Sequence, residues 1–182
     1  MTNPSTVHPV SSARLTAVAA ALAAGLAFSA QSPAPASSPL AWCTRIPIPR
    51  VPECRPLEVH APKGTLRLAV ANTEPQRQHG LMNVPYVPLG QGMIFVFADG
   101  DADRGFWMKD TITPLDMVFV RRDGSVSSVE VNVPATPPKT PDEKVARRNG
   151  AGQYVIELGA GQAGQFGLLP GSRVVIPPLA AQ

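Results

Sequence analysis

Side chains that carry chemistry are scarce in this chain. Its 182 residues include two cysteines, three histidines, two tryptophans, two tyrosines and six phenylalanines. His8 lies in the N-terminal leader and His60 just before Pro62, so only His79 falls well inside the folded part and a three-histidine zinc site is excluded. A Ser-His-Asp constellation would have to use His79, and no serine motif stands ready to join it. Neither a phosphate-cradling glycine loop nor a dinucleotide fingerprint occurs. No cofactor is implied and no catalytic residue is assigned. Charge of one sign is lacking too: 16 basic against 13 acidic residues leave +3, with the basic residues scattered apart from Arg147-Arg148. That distribution fits a solvated surface and argues against a nucleic-acid partner. With aromatics at 5% and hydrophobic residues at 44%, the core is expected to be aliphatic and methionine-rich.

What is present begins with a leader. Arg14, the one charged residue among the first thirty, precedes the apolar run Leu15 to Phe28, and small residues follow around Ala27-Phe28-Ser29. The run is shorter than the ~20 apolar residues of a membrane-spanning helix. Its order of polar, apolar and small residues is that of a secretory signal, assigned to residues 1–30. The processed chain, with a net charge of +2 once Arg14 is removed, is expected to be periplasmic or secreted, monomeric and without a stable membrane span. Export makes Cys43 and Cys54 a natural disulfide. They sit in residues 31–62, a Pro/Ser/Ala-rich stretch that reads as a tether, so the bond is expected to add little to domain stability.

Residues 63–178 carry the strand patterns. Thr65 to Ala71 alternates, with Leu66, Leu68 and Val70 on one side. Thr73, Pro75 and Gln76 announce a short helix through a capping box. Further strands are expected at Gly92 to Phe97, Gly105 to Asp110, Leu115 to Arg121, Val126 to Val133, Gln153 to Leu158 and Arg173 to Ile176, with a weak helix from Ala160 to Phe166. Leu115 to Arg121 is apolar on both faces and therefore central. Pro134 to Gly152 shows no strand pattern and reads as a long loop. The sum is a mainly β (α+β) domain, a compact curled sheet or small barrel of about seven strands with two short helices.

The run Phe106-Trp107-Met108-Lys109-Asp110-Thr111 poses the chemical question. Strand alternation puts Trp107, Lys109 and Thr111 on one face. A lysine drawn inside needs a partner, and Asp116 is the next acid along. Two readings stand side by side. In one, Lys109 and Asp116 form a buried structural pair. In the other, Trp107, Lys109, Asp110, Thr111 and Asp116 line a ligand site, with a stacking surface, a point charge and acceptors. Two alternatives use other chemistry. Met82, Met93 and Met108 with His79 suit Cu(I), although methionine is also an ordinary core filler. Asp110 with Asp116 offers a carboxylate pair for hydrolysis.

Several blocks occur in a familiar order: His79-Gly80-Leu81-Met82, Gly92-Met93-Ile94-Phe95-Val96-Phe97, Phe106 through Thr111, Pro114-Leu115-Asp116 and Gln153-Tyr154-Val155-Ile156-Glu157-Leu158. With Gly167-Leu168 and Gly171-Ser172-Arg173-Val174, residues 65–176 resemble the bacterial and archaeal family called domain of unknown function 192. The resemblance implies a small, mainly β, often exported fold and no particular activity. Asp110 stands where that family commonly has asparagine, and His79 where it often has a basic or other polar residue. The resulting expectation is an exported domain without catalysis that binds a small molecule or an envelope component.

Overall fold

A computed structural model describes residues 39–40, 42–43 and 54–179. The assigned signal and most of the assigned tether lie outside these residues. Among the described residues there are eight strands in two sheets and two short helices. The strands are β1 (Leu57–Ala61), β2 (Gly64–Ala71), β3 (Gln91–Val96), β4 (Ala102–Trp107), β5 (Leu115–Val120), β6 (Val126–Val133), β7 (Arg147–Gly152) and β8 (Tyr154–Gly159). The helices are α1 (Glu74–His79) and α2 (Gln162–Gln165). Six strands form one sheet in the order β1-β2-β3-β8-β5-β6, and β4 pairs with β7 in a separate ribbon. Only β2 and β3 run parallel, and α1 lies in the crossover such a pair requires.

The main sheet is buried on both sides, as its alternating strands dictate. Leu66, Leu68, Ile94, Val118, Ile156 and Leu158 point to one face, where Ala163 of α2 and Val174 cover them. Met93, Phe95, Met117, Phe119 and Val155 point to the other, beneath Phe106 of the β4–β7 ribbon, Leu81 and Val84. The α1 capping box is present: Gln76 Oε1 accepts from the Thr73 amide at 3.0 Å, and Pro75 sits in the first turn.

The sheet is curled, not a closed barrel. Its edge strands β1 and β6 do not pair. The C-terminal segment bridges them instead, through the mutual backbone bonds of His60 and Val175 and the Ser125–Arg173 bridge. Arg173 to Ile176, expected as a full strand, therefore makes isolated bridges only.

Two strands arise where none was expected. β1 falls inside the stretch read as a tether, with Val59 fully buried against β2. β7 falls inside the supposed long loop. Its sequence, Arg-Arg-Asn-Gly-Ala-Gly, lacks β-branched residues because the strand must press closely on β5. A Cβ at Gly150 would lie 2.3 Å from the Phe119 ring, and one at Gly152 2.4 Å from the Val120 carbonyl oxygen.

Cys43 and Cys54 are bonded. The tether reading behind the expectation that this bond matters little is corrected by its surroundings. Leu40, Trp42 and Cys43 are buried in the core cluster with Phe95 and Val84, and the Leu40 amide donates to the Cys54 carbonyl at 3.0 Å. The link thus fastens a core-packing segment to the start of the domain. Replacing both cysteines by serine is expected to lower the unfolding free energy by about 2–3 kcal/mol, the chain-entropy value for a loop of this length. Urea unfolding of the double variant checks this; a loss below about 0.5 kcal/mol would show that the segment holds without the bond.

Candidate functional site

Between α1, the end of β4 and the main sheet lies a cavity of about 200 Å³, partly open to solvent. Phe95 of β3 and Phe106 of β4 meet edge to face within its lining, ring centroids 4.9 Å apart, and Phe97 packs on Phe106 at 6.4 Å. The end of α1 supplies His79, Gly80, Leu81 and Met82, while Trp107, Lys109 and Thr111 form another side.

Glu157 also lines this cavity. It sits on β8 opposite Met93 of β3 and Met117 of β5, and is 5% exposed. No residue among those described donates a hydrogen bond to its carboxyl. Burial alone pushes that carboxyl from 4.5 up to about 8. Gly80 ends α1 with φ +51°, and a Cβ there would come within 3.3 Å of the Phe95 ring and 3.8 Å of Glu157 Oε2. The glycine lets the backbone turn sharply while keeping the space above the carboxyl clear. The His79 Nε2 is likewise buried without a partner in the described structure.

The cations on the wall are engaged elsewhere. Arg77 forms an ion pair with Glu74 at 2.9 Å, donates to the carbonyls of Asn72 and Val96, and lies over the Phe97 ring at 5.1 Å. The Arg77 hydrogen bond holds the Glu74 carboxyl below its ordinary value. Lys109 is paired with Asp142, which raises the lysine above its usual value.

Lys109 therefore does not pair with Asp116, and the reason is local. β4 ends at Trp107, so the alternation expected to carry Lys109 inward stops before it. Trp107 itself is 38% exposed, with the Arg147 guanidinium 5.1 Å from its ring. Lys109 and Asp110 form a turn, with Asp110 at φ +49°. Asparagine and aspartate tolerate that left-handed conformation better than other side chains. Asp110 lies outside the cavity lining. Thr111 is on the wall but buried, its hydroxyl donating to the Lys109 carbonyl at 3.1 Å.

Asp116 is fully buried on the opposite face of the sheet. Its Oδ1 accepts from the amides of Asn132 at 2.8 Å and Gly161 at 3.0 Å, and its Oδ2 from Ala163 at 2.8 Å. It is a structural acid, so neither the Lys109–Asp116 pair nor the Asp110–Asp116 carboxylate pair forms. The Cu(I) set is divided as well. His79 and Met82 line the cavity, whereas Met93 and Met108 are fully buried in the core. No group of three or more His, Cys, Asp or Glu suited to a metal occurs among the described residues.

Sequence reasoning placed Trp107, Lys109 and Thr111 at the site and passed over Glu157. The available signal was its position on Gln153 to Leu158, a strand whose neighbours are apolar on both faces, where an acid has no solvated side to turn to.

The chain belongs to the DUF192 family, described as an uncharacterized ACR, whose model matches residues 57–176. No curated protein matches it. A crystal structure from Sinorhizobium meliloti 1021, described as a "putative transcription regulator", is similar at 28% identity and TM-score 0.57, covering 68% of this chain and 93% of that one. A protein of unknown function from Novosphingobium aromaticivorans DSM 12444 is similar at 29% identity and TM-score 0.54, covering 66% and 83%.

The two buried acids should respond oppositely to amidation. Asp116→Asn leaves one acceptor oxygen for three amide donors and should cost about 3 kcal/mol. For Glu157, the folded value lies above the unfolded one. Its protonated form therefore favours folding below pH 4.5, and that contribution is lost as pH rises toward about 8. Relative to wild type, Glu157→Gln should gain stability across this window by about 1.4 kcal/mol per pH unit. Parallel stability profiles of wild type and Glu157→Gln from pH 5 to 8 would refute the shifted carboxyl.

Proposed function

We propose that this protein is an exported, non-catalytic binding domain for a small molecule, and that the cavity beneath α1 is its site. The observation that carries the reading is a buried carboxyl without a partner, facing an aromatic-lined recess that is open to solvent. A carboxyl left so in a core costs roughly 2–7 kcal/mol unless something compensates it. A strongly perturbed group facing a cleft is a candidate functional group on physical grounds. Export is supported by the signal-like leader, which lies outside the described residues, and by the disulfide. Among the described residues no helix is long and apolar enough to cross a membrane.

The relative described as a regulator brings no nucleic-acid reading with it. Arg77, Arg104, Lys109, Arg148 and Arg173 are each engaged by an acid, and the basic residues are scattered along the chain apart from Arg147-Arg148.

The test is a thermal-shift screen of the mature protein against sugars, peptidoglycan fragments, amino acids, small amines, nucleotides and Cu(I). A cavity ligand raises the melting temperature as its concentration passes its dissociation constant. The shift should vanish in Gly80→Leu, whose side chain would enter the space beside Phe95 and Glu157. A panel without any shift, or shifts unaltered in a folded Gly80→Leu, would overturn the reading. N-terminal sequencing of protein recovered from the cell envelope should begin close to Gln31, and an intact Met1 would refute processing.

A further inference from the structure

We propose that the cavity takes a small organic cation, an amine or quaternary ammonium, with its charged nitrogen at Glu157 and its hydrocarbon part against Phe95, Phe97 and Phe106. This rests on the reading of the cavity as the binding site and adds the chemical class of the ligand.

Charge accounting carries the argument. Besides Glu157, the charged or titratable groups on the cavity wall are Glu74, Arg77, His79 and Lys109. Glu74 and Arg77 neutralise each other, and Lys109 is neutralised by Asp142. Met93 and Met117, the strand neighbours that flank Glu157, do not titrate. Two groups are left over, the Glu157 carboxyl and the His79 imidazole, whose Nε2 is buried without a partner, and the acid is the more deeply placed of the two. An anion would have to approach that acid while both nearby cations were already committed. A polyol would find few free polar groups, since the Thr111 hydroxyl is spent on a carbonyl. A cation meets the unpaired carboxyl and, around it, aromatic rings whose π systems attract positive charge. Gly80 keeps the approach clear, its absent Cβ leaving room 3.8 Å from Glu157 Oε2.

This assignment has a proton signature. The free carboxyl, at about 8, holds its proton at neutral pH, whereas a bound cation requires the carboxylate. Binding should therefore release about 0.9 of a proton per site at pH 7. Affinity should rise about ninefold from pH 6 to pH 7 and level off above pH 8. A neutral ligand that accepts a hydrogen bond from the protonated acid would show the reverse pH trend and no proton release.

Isothermal titration of the mature protein with choline and with benzylamine tests the proposal. Each is run beside its uncharged counterpart, the carbon isostere of choline and benzyl alcohol, in two buffers of different ionisation enthalpy. Choline's charge does not titrate, so any pH dependence belongs to the protein. At least one amine should bind ten times or more tightly than its uncharged counterpart, with proton release and the rising pH profile. Glu157→Gln, checked for folding by its melt, should weaken that binding tenfold or more and flatten the profile. Equal binding of the uncharged counterparts, undiminished binding in Glu157→Gln, or a pH slope that survives in that variant would each overturn the proposal. If both amines fail while another compound class shifts the melt through the cavity, the cation assignment falls and the binding reading stands. If no class binds, both fall.

Discussion

Asp116 is the junction on which much of the sheet depends. β5 carries it at a register shift, where two residues of β6, Val131 and Asn132, face the single residue between Leu115 and Met117. One oxygen of the acid takes the Asn132 amide that the irregularity frees, and the same carboxyl takes the amides of Gly161 and Ala163 at the start of α2. A central strand, an edge strand and the helix closing one face are thus joined by one side chain. Burial of such a group is tolerable because three donors replace the water it lost. On the neighbouring strand, turned to the other face, Glu157 is nearly as buried and has none of those donors. The two acids occupy one sheet in opposite surroundings.

The strands that could be read from the chain were those with a run or an alternation of apolar residues. β2 and β6 alternate in part, β3, β5 and β8 are rich in apolar residues and buried almost throughout, and the capping box around Thr73 and Gln76 is a local signal that needs no tertiary help. The strands missed were defined by contacts distant in sequence. β7 is glycine-rich because Phe119 and the Val120 backbone lie against it, a demand that periodicity does not express. β1 is a five-residue edge strand between prolines, and its one deeply buried side chain, Val59, is too little for a pattern. The C-terminal segment gains order by spanning two sheet edges, which no local sequence can announce.

The site was legible in part for the same reason. The neighbourhood of Trp107, Lys109 and Thr111 was found because an aromatic beside a lysine is conspicuous. Its geometry was misassigned because a period of two holds only while the strand lasts. The Lys109-Asp110 turn, with Asp110 left-handed, resets the facing of everything after Trp107. Lys109 then meets Asp142, thirty-three residues away, beside a turn of 3-10 helix that no alternation suggested. Asparagine satisfies the same left-handed backbone conformation as aspartate, so either residue preserves the turn.

The isolation of Glu157 is what sets it apart from Asp116 and what the proposed binding reading rests on. Arginine and lysine both line its cavity, and either would normally be drawn to an unpaired carboxyl. Arg77 is turned away by two backbone carbonyls, by Glu74 and by the face of Phe97. Lys109 is held by Asp142. Methionines flank the acid on both neighbouring strands, filling space with adaptable, weakly polar sulfur that offers no donor. Phenylalanines add a further stretch of wall without donors, and His79, whose Nε2 is buried without a partner, makes no hydrogen bond to the acid. A fold selected for stability alone would answer this carboxyl from within, as it answers Asp116, or replace it with a residue like the methionines beside it. Keeping it buried, unanswered and open to one recess is the arrangement that the proposed binding of an external ligand accounts for.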